Sequence, residues 1–158
     1  MSESSLSSSG LEDSNTLLIV VGAHLRAETA DRPLAYELRD HAMKWLAEHR
    51  EQLNVTLGVT VCCDIWYLNN ERLQHCPTVS LGGPGVNALS AYFAQNLKHD
   101  TDAEQQVLIQ IDPEFTDLRV CIWGSNHELT VKGLDLFVHQ YLDGYLRAVV
   151  TQVEPHAD

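Results

Sequence analysis

Continuous apolar runs alternate along this chain with segments in which apolar side chains recur every three or four residues. The runs Leu17–Gly22 and Leu57–Leu68 predict two strands, the second about eight to ten residues long and rich in β-branched and aromatic side chains. Shorter apolar runs predict three more strands, at Thr78–Leu81, Gln106–Ile111 and Leu118–Trp123. Unbroken apolar runs are typical of strands covered on both faces, so the pattern indicates an α/β fold.

The first helical segment follows the first strand. Apolar side chains recur at three- and four-residue steps from Leu34 to Leu53, with charged side chains between them. Proline is favoured at the first helical position, so we expect this helix to begin near Pro33, with Asp31 close enough to cap it. The polar stretch Ala23–Arg32 is then predicted to be a loop.

Two further helical segments each follow a glycine-bearing turn. Apolar side chains between Val86 and Leu97 give the second helix its buried face. The third helix opens at Ser125, which has capping-box spacing to Glu128, and its apolar stripe continues to Val150. These elements predict a three-layer α/β sandwich in which three helices cover a mixed sheet of about five strands.

The last two predicted strands are joined by Asp112–Asp117, whose length and turn residues predict an antiparallel hairpin. The length of the chain, 158 residues, fits a single domain, which we place at residues 16–152. Residues 1–15 are rich in serine and acidic side chains, so we expect a disordered tail there, and residues 153–158 are expected to form a short second tail.

Charge and composition restrict the partners of the chain. It has 10 lysine and arginine residues against 22 acidic ones, a formal net charge of -12, which disfavours binding to nucleic acid or to an anionic membrane. The N-terminal segment lacks the basic and apolar regions of a secretory signal, and no apolar run has the roughly 20 residues of a membrane-spanning helix. All cysteines except Cys76 lie within apolar runs, as expected in a reducing compartment. We therefore expect a cytoplasmic protein.

Candidate chemistry centres on the two glycine turns. In Gly82–Asn87 the glycines precede a helix, and successive backbone N–H groups in such a turn can face a phosphate or carboxylate. The segment Gly124–His127 is a similar helix start. Neither segment has the lysine of a phosphate-binding loop or the spacing of a dinucleotide-binding turn, so a tight strand-to-helix turn without a ligand is the alternative for both.

Polar side chains near these turns complete the predicted site. His24 and Arg26 follow the first strand, and loops at the carboxyl edge of an α/β sheet commonly provide ligand contacts. Together with Asn87 and His127 they supply a cationic group, an amide and a titratable base, which are sufficient to orient a small anion or to move a proton. The full set of predicted ligand-binding residues is His24, Arg26, Gly83, Gly85, Asn87, Ser125 and His127.

Strand direction decides whether this set can meet. If Gln106–Ile111 runs parallel to Thr78–Leu81, the hairpin reverses the last strand and the two glycine turns lie at opposite edges. They share an edge only if residues 99–105 lead the chain back along the sheet. Seven residues can do so, because they reach at most about 24 Å against about 20 Å for a six-residue strand. The sequence leaves both directions open.

The histidines and cysteines do not follow a metal-ligand pattern. The chain has eight histidines and four cysteines but neither C-x-x-C nor H-x-x-x-H spacing. Asp100, Asp102 and Glu104 alternate like calcium ligands, but the glycine and the glutamate that a calcium loop requires are missing. We expect no metal and no cofactor.

The apolar stripe of the last predicted helix is wider than one sheet face usually requires. Phe137, Tyr141 and Tyr145 are therefore predicted to lie in the subunit interface of a homo-oligomer. A helix that is buried on two sides within one chain is the alternative explanation.

The two glycine turns together match a motif of a known family. The first part is a G-G-P-x-x-N turn that opens one helix. The second part is a later strand that ends on a glycine, followed by a threonine in the next helix start. The matching residues are Gly82, Gly83, Pro84, Asn87, Gly124 and Thr130. This combination resembles the small α/β domain of archaeal surface-layer and related proteins. The resemblance covers less than half of the chain and implies an α/β layer, without a surface location or a binding role.

Two functions stay open from the sequence. The first, which we take as the main hypothesis, is a non-enzymatic α/β protein that associates with itself or with a partner through the last helix. The second is a protein or enzyme that binds a small anion or nucleotide-like ligand through the glycine turns. No motif in the chain identifies a substrate or a reaction.

Overall fold

The computed structural model describes residues 15–96, 100–102 and 107–152 of the chain. Residues 1–14 of the predicted tail at 1–15, the predicted tail at 153–158, Leu97 and most of the path 99–105 lie outside the described residues. The strands are β1 (Thr16–Val21), β2 (Gly58–Cys63), β3 (Thr78–Leu81), β4 (Asp100–Asp102), β5 (Val107–Gln110) and β6 (Arg119–Gly124). The helices are α1 (Leu25–Glu48), α2 (Asp64–Leu68), α3 (Ala88–Asn96), α4 (His127–Gln140) and α5 (Leu142–Gln152), with 3-10 turns at Arg50–Gln52 and Glu71–His75.

The strands form one mixed sheet in the order β2-β1-β3-β6-β5-β4. Strands β2, β1, β3 and β6 are parallel, whereas β5 is antiparallel to both of its neighbours. The predicted α/β fold and the predicted hairpin of the last two strands are therefore confirmed. The additional strand, β4, is three residues long and pairs with β5 at the outer edge.

Alternating side chains of β1 show how the three layers are held together. Leu17, Ile19 and Val21 pack into a core with α1, α4 and α5, whereas Leu18 and Val20 pack on the opposite face with α2 and α3. All six residues of β1 are buried. Burial on both faces explains why this strand is an unbroken aliphatic run in the sequence.

Helix α1 begins eight residues earlier than the sequence predicts, at Leu25 and not near Pro33. The side chain of His24 caps the helix, because its Nδ1 accepts a hydrogen bond of 3.1 Å from the N–H of Arg26. Pro33 lies inside the helix, and Asp31 is an inward-facing helical residue, not a cap. The predicted loop at Ala23–Arg32 was wrong, because the His24 cap starts the helix at Leu25 and the helix continues through Pro33.

Two more differences give the described residues five helices, where the sequence predicts three. The second strand ends at Cys63, and the remainder of the predicted strand forms α2. The cause is the Asp64 carboxylate, which accepts hydrogen bonds from the N–H groups of Ala23, Ile65 and Ala88 at 3.0, 2.7 and 2.7 Å. The last predicted helix is interrupted at Tyr141, where α4 ends and α5 follows.

Phe137 and Tyr145 do not lie on a surface. Both side chains are 0% exposed and pack in the core formed with α1, and the Tyr145 hydroxyl donates a 2.8 Å hydrogen bond to the carbonyl of Leu118. Tyr141 is half-buried against the same core. Placing Phe137 and Tyr145 in a subunit interface was therefore wrong, since the wide stripe is explained by burial within one chain. Self-association itself stays a prediction.

The cysteines and helices bear on two other expectations. All four cysteines are free, and burial raises the pKa of the Cys62 and Cys121 thiols to about 12, so neither thiol is a ready nucleophile. Among the residues that the structure describes, no helix combines the length and the apolar character needed to span a membrane.

Tyr145→Glu should unfold the chain and not produce a soluble monomer. The substitution places a carboxylate in an apolar core and removes a large ring, which together should cost about 5 kcal/mol or more of unfolding free energy. Circular dichroism during urea titration measures this. Tyr92→Glu is the control, because Tyr92 is 52% exposed on α3 and its replacement should change stability by about 0.5 kcal/mol or less. A folded, monomeric Tyr145→Glu chain would contradict the assignment of Tyr145 to the core.

Candidate functional site

A cleft of about 350 Å³ opens at the carboxyl edge of the parallel strands. Its walls are the first turns of α1 and α4 and the loop that follows β3. In open α/β sheets this edge is where ligands bind. The lining residues that matter for its chemistry are Arg26, Asp31, Gly83, Gly85, Ser125 and His127.

The two glycine turns share this edge because β3 and β6 are parallel. After β3 the chain passes through α3 to the outer strand β4, returns in the opposite direction along β5, and enters β6 beside β3. Of the two strand directions that the sequence leaves open, the structure has the one that brings the turns together. Arg26, Gly83, Gly85, Ser125 and His127 therefore line one cleft.

The first glycine turn requires a glycine at its start. Gly82 has φ +106°, a conformation that side chains with a Cβ rarely adopt. An added Cβ would also collide with the carboxylate of Asp31, which packs against Gly82 from α1. The turn and the first helix are thus in direct contact at Asp31, which lines the cleft.

Asn87 holds the other end of this turn and does not line the cleft. Its side chain is 1% exposed, and its amide NH₂ lies 3.2 Å from the carbonyl oxygen of Val20, 3.0 Å from that of Leu81 and 3.1 Å from Ser80 Oγ. Its Oδ1 accepts from the first N–H groups of α3. The predicted ligand-binding role of Asn87 was wrong, because every polar atom of the side chain is used inside the protein.

His24 is also outside the cleft lining. Its Nδ1 is engaged as the cap of α1, where it orients the first turn that carries Arg26. The predicted quartet therefore divides into two groups. Arg26 and His127 face the cleft, whereas His24 and Asn87 fix the helix starts on which the cleft is built.

The start of α4 is capped by Asn126, not by the predicted Ser125. Asn126 Oδ1 accepts a 2.9 Å hydrogen bond from the N–H of Leu129. Thr130 Oγ1 accepts from the N–H of Gly124 at 3.1 Å and donates to the carbonyl of Asn126 at 3.0 Å, which closes the turn. Ser125 is left exposed at the cleft.

Backbone donors remain available around the cleft. The N–H groups of Gly83, Gly85, Ser125 and Asn126 donate no hydrogen bond within the part of the chain that the structure describes. The N–H of His127 is the first of α4, so it has no partner inside the helix. Such groups at a helix start carry partial positive charge and attract anions.

Asp31 is the residue that sequence reasoning missed as part of the site. It is 7% exposed, lines the cleft from α1, and makes no hydrogen bond to any described residue. Burial raises the pKa of its carboxyl, while the nearby His127 and Arg26 act in the opposite direction. The available signal was its spacing: Asp31 falls four residues after Ala27 and three before Leu34, on the buried face of the helix.

Comparisons of the chain with protein-family models, with curated proteins and with solved structures found no match. The resemblance to the surface-layer α/β domain therefore stays a prediction. Within the described ranges, no group of three or more histidine, cysteine, aspartate or glutamate side chains is arranged to hold a metal ion.

Asn87→Ala should destabilise the chain by about 3 kcal/mol, because it removes a helix cap and leaves buried groups without their partner. The free energy of unfolding in urea measures this. Asn69→Ala is the matched control, since the Asn69 amide makes one exposed hydrogen bond, to the carbonyl of Ile65, and its loss should cost less than about 1 kcal/mol. Equal effects of the two substitutions would contradict the role assigned to Asn87.

Asp31→Asn should raise the free energy of unfolding near neutral pH. Because the pKa of Asp31 is raised above 3.8, the folded chain binds the proton more tightly than the unfolded chain, and stability falls as pH rises from 3.8 through the raised pKa. The gain in the variant should therefore disappear below pH 3.8. Urea titrations across this range test it, with the exposed Asp40→Asn as control. A variant that is less stable than the parent at neutral pH would show that the carboxylate is a structural acceptor.

Proposed function

We propose that this chain binds a small organic anion, a phosphate ester or a carboxylate, in the cleft between the first turns of α1 and α4. The observation that supports the proposal is the convergence of two helix starts and the Gly83–Gly85 segment on one opening with free backbone donors. Each of these elements alone is a common structural turn. Their donors surround the same volume, which makes a ligand the better explanation.

The side chains at the opening add to the backbone donors. Arg26 presents a guanidinium group, whose planar donors match the oxygens of a phosphate or carboxylate. His127 lies on the opposite wall, at the first position of α4, and is exposed. Both sit where the partial charge of a helix start is positive.

The size of the cleft limits the ligand. Sites for small molecules typically enclose about 300–1,000 Å³, and this cleft of about 350 Å³ lies at the lower end of that range. A phosphorylated or carboxylated metabolite of a few heavy atoms fits this volume better than a dinucleotide. The net charge of -12 further disfavours polyanionic partners, although a single anionic group responds to the local donors.

Binding should be detectable as a thermal shift with a panel of phosphate esters, carboxylates and nucleotides. A ligand at 100 times its dissociation constant stabilises the folded chain by about 2.7 kcal/mol. Arg26→Gln and His127→Ala should each weaken binding about tenfold or more, because each removes a charge-assisted or polar contact to the anion.

Two control substitutions make similar side-chain changes away from the cleft, one on α1 and one just after it. Arg50→Gln lies just beyond the far end of the helix, roughly 35 Å from Arg26 along its axis. His41→Ala replaces an exposed histidine in the middle of the same helix. Both should bind like the parent. The proposal fails if no anion in the panel stabilises the chain, or if the cleft variants and the controls behave alike.

A further inference from the structure

The cleft contains one buried acid among donors that favour anions. Asp31 is 7% exposed and is the acidic side chain of the lining, whereas Arg26, His127 and the open backbone N–H groups are donors or cations. A buried carboxylate is normally hydrogen-bonded or ion-paired, because burying it without a partner is unfavourable. Asp31 has no hydrogen bond to a described residue.

The nearby cations do not neutralise Asp31 directly. Arg26 and His127 are close enough to lower the pKa of its carboxyl, but neither forms an ion pair or a hydrogen bond with it. Both side chains are exposed on the first turns of different helices, whereas the carboxylate lies deeper, against Gly82. The cleft therefore has an acceptor, the carboxylate of Asp31, at its buried end, here called the floor. Its exposed end, here called the rim, carries the donors of Arg26 and His127.

A simple anion would satisfy only the rim. It would place a second negative charge beside Asp31 in a partly dehydrated site, where like charges repel more strongly than in water. A ligand that also carries a hydrogen-bond donor, and above all an ammonium group, would give the carboxylate a partner, which no described residue provides through a hydrogen bond.

We infer that the ligand of the cleft is a small zwitterion, with its anionic group at the helix starts near Arg26 and its ammonium group at Asp31. This inference rests on the proposed function and adds the chemical class of the ligand. Amino acids and phosphorylated amines belong to this class, and their size agrees with a cleft of about 350 Å³. Asp31 would then act as a specificity-determining residue that selects the amine.

Two pairs of probes that differ only in the ammonium group test the inference. Ethyl phosphate is compared with O-phosphoethanolamine, and propionate with β-alanine, by calorimetry and by amide chemical shifts of the full chain near neutral pH and at low salt. In at least one pair the ammonium-bearing member should bind tenfold or more tightly than its partner. Its binding should shift the amide signals of Gly83 and Gly85, which line the cleft.

Asp31→Asn should abolish this preference and tighten the binding of ethyl phosphate or propionate, because it removes the negative charge that repels a plain anion. Asp40→Asn, an exposed carboxylate on the same helix, should keep the preference of the parent. Circular dichroism verifies that both variants are folded.

The possible failures are distinguishable. If the plain anions bind as well as the zwitterions, or if Asp31→Asn keeps the preference, the inference is overturned while the anion site stands. If none of the four probes binds and the wider anion panel is also negative, the proposed function fails together with the inference.

Discussion

The turn after β3 is held at the sheet edge by one buried side chain, the amide of Asn87. Its NH₂ reaches main-chain oxygens at the ends of β1 and β3, while its oxygen starts α3, so a single group fixes two strands and a helix together. The segment Gly83–Gly85 faces the opening because Gly82 and Asn87 are fixed on either side of it. The donors of the cleft are therefore preorganised by the core and not by the loop alone.

Asp64 supports the same edge from the neighbouring strand. Its carboxylate joins the start of α2 to the main chain at Ala23, just after β1, and at Ala88, the first residue of α3. Both oxygens of the Asp64 carboxylate accept hydrogen bonds, three in all, from backbone N–H groups. Asp31, at the other side of the turn, accepts no hydrogen bond from the residues that the structure describes. Of these two buried acids at one sheet edge, Asp64 therefore has a structural role, whereas Asp31 is the one that we propose is available to a ligand.

The sequence predicts those parts of the fold that depend on local patterns. Strands buried on both faces appear as unbroken apolar runs, and turns that need glycine display it, so both could be located. The end of β2 could not, because Ile65, Trp66 and Tyr67 are strand-favouring residues, whereas the Asp64 carboxylate at the start of α2 is held by contacts to Ala23 and Ala88 that are distant in sequence. The meeting of the glycine turns depends on the pairing of β4 and β5, which is a tertiary property.

The place of Asp31 in the site could not be predicted from the sequence either. Proline is favoured at the first helical position, so the sequence predicts a helix start near Pro33 with Asp31 as its cap, which displaces the predicted start of α1 by eight residues. Sequences usually agree with their fold at every level, and disagreements concentrate at functional sites, where stability is given up. An apolar residue at position 31 would continue the buried stripe from Ala27 to Leu34. Packing therefore does not explain why this position is a carboxylate.

The side chains proposed to contact a ligand lie outside the motif that resembles the surface-layer domain, although the motif residue Gly83 contributes a backbone donor to the cleft. Gly82 provides the positive φ, Asn87 anchors the turn, and Thr130 closes the start of α4 on Gly124, so the matching residues are explained by the geometry of two helix starts. Arg26, Asp31 and His127 lie outside that set. Proteins could therefore share this sheet edge and bind different ligands or none. The function of this chain has to be inferred from the charge and burial of the side chains that α1 and α4 place at the cleft.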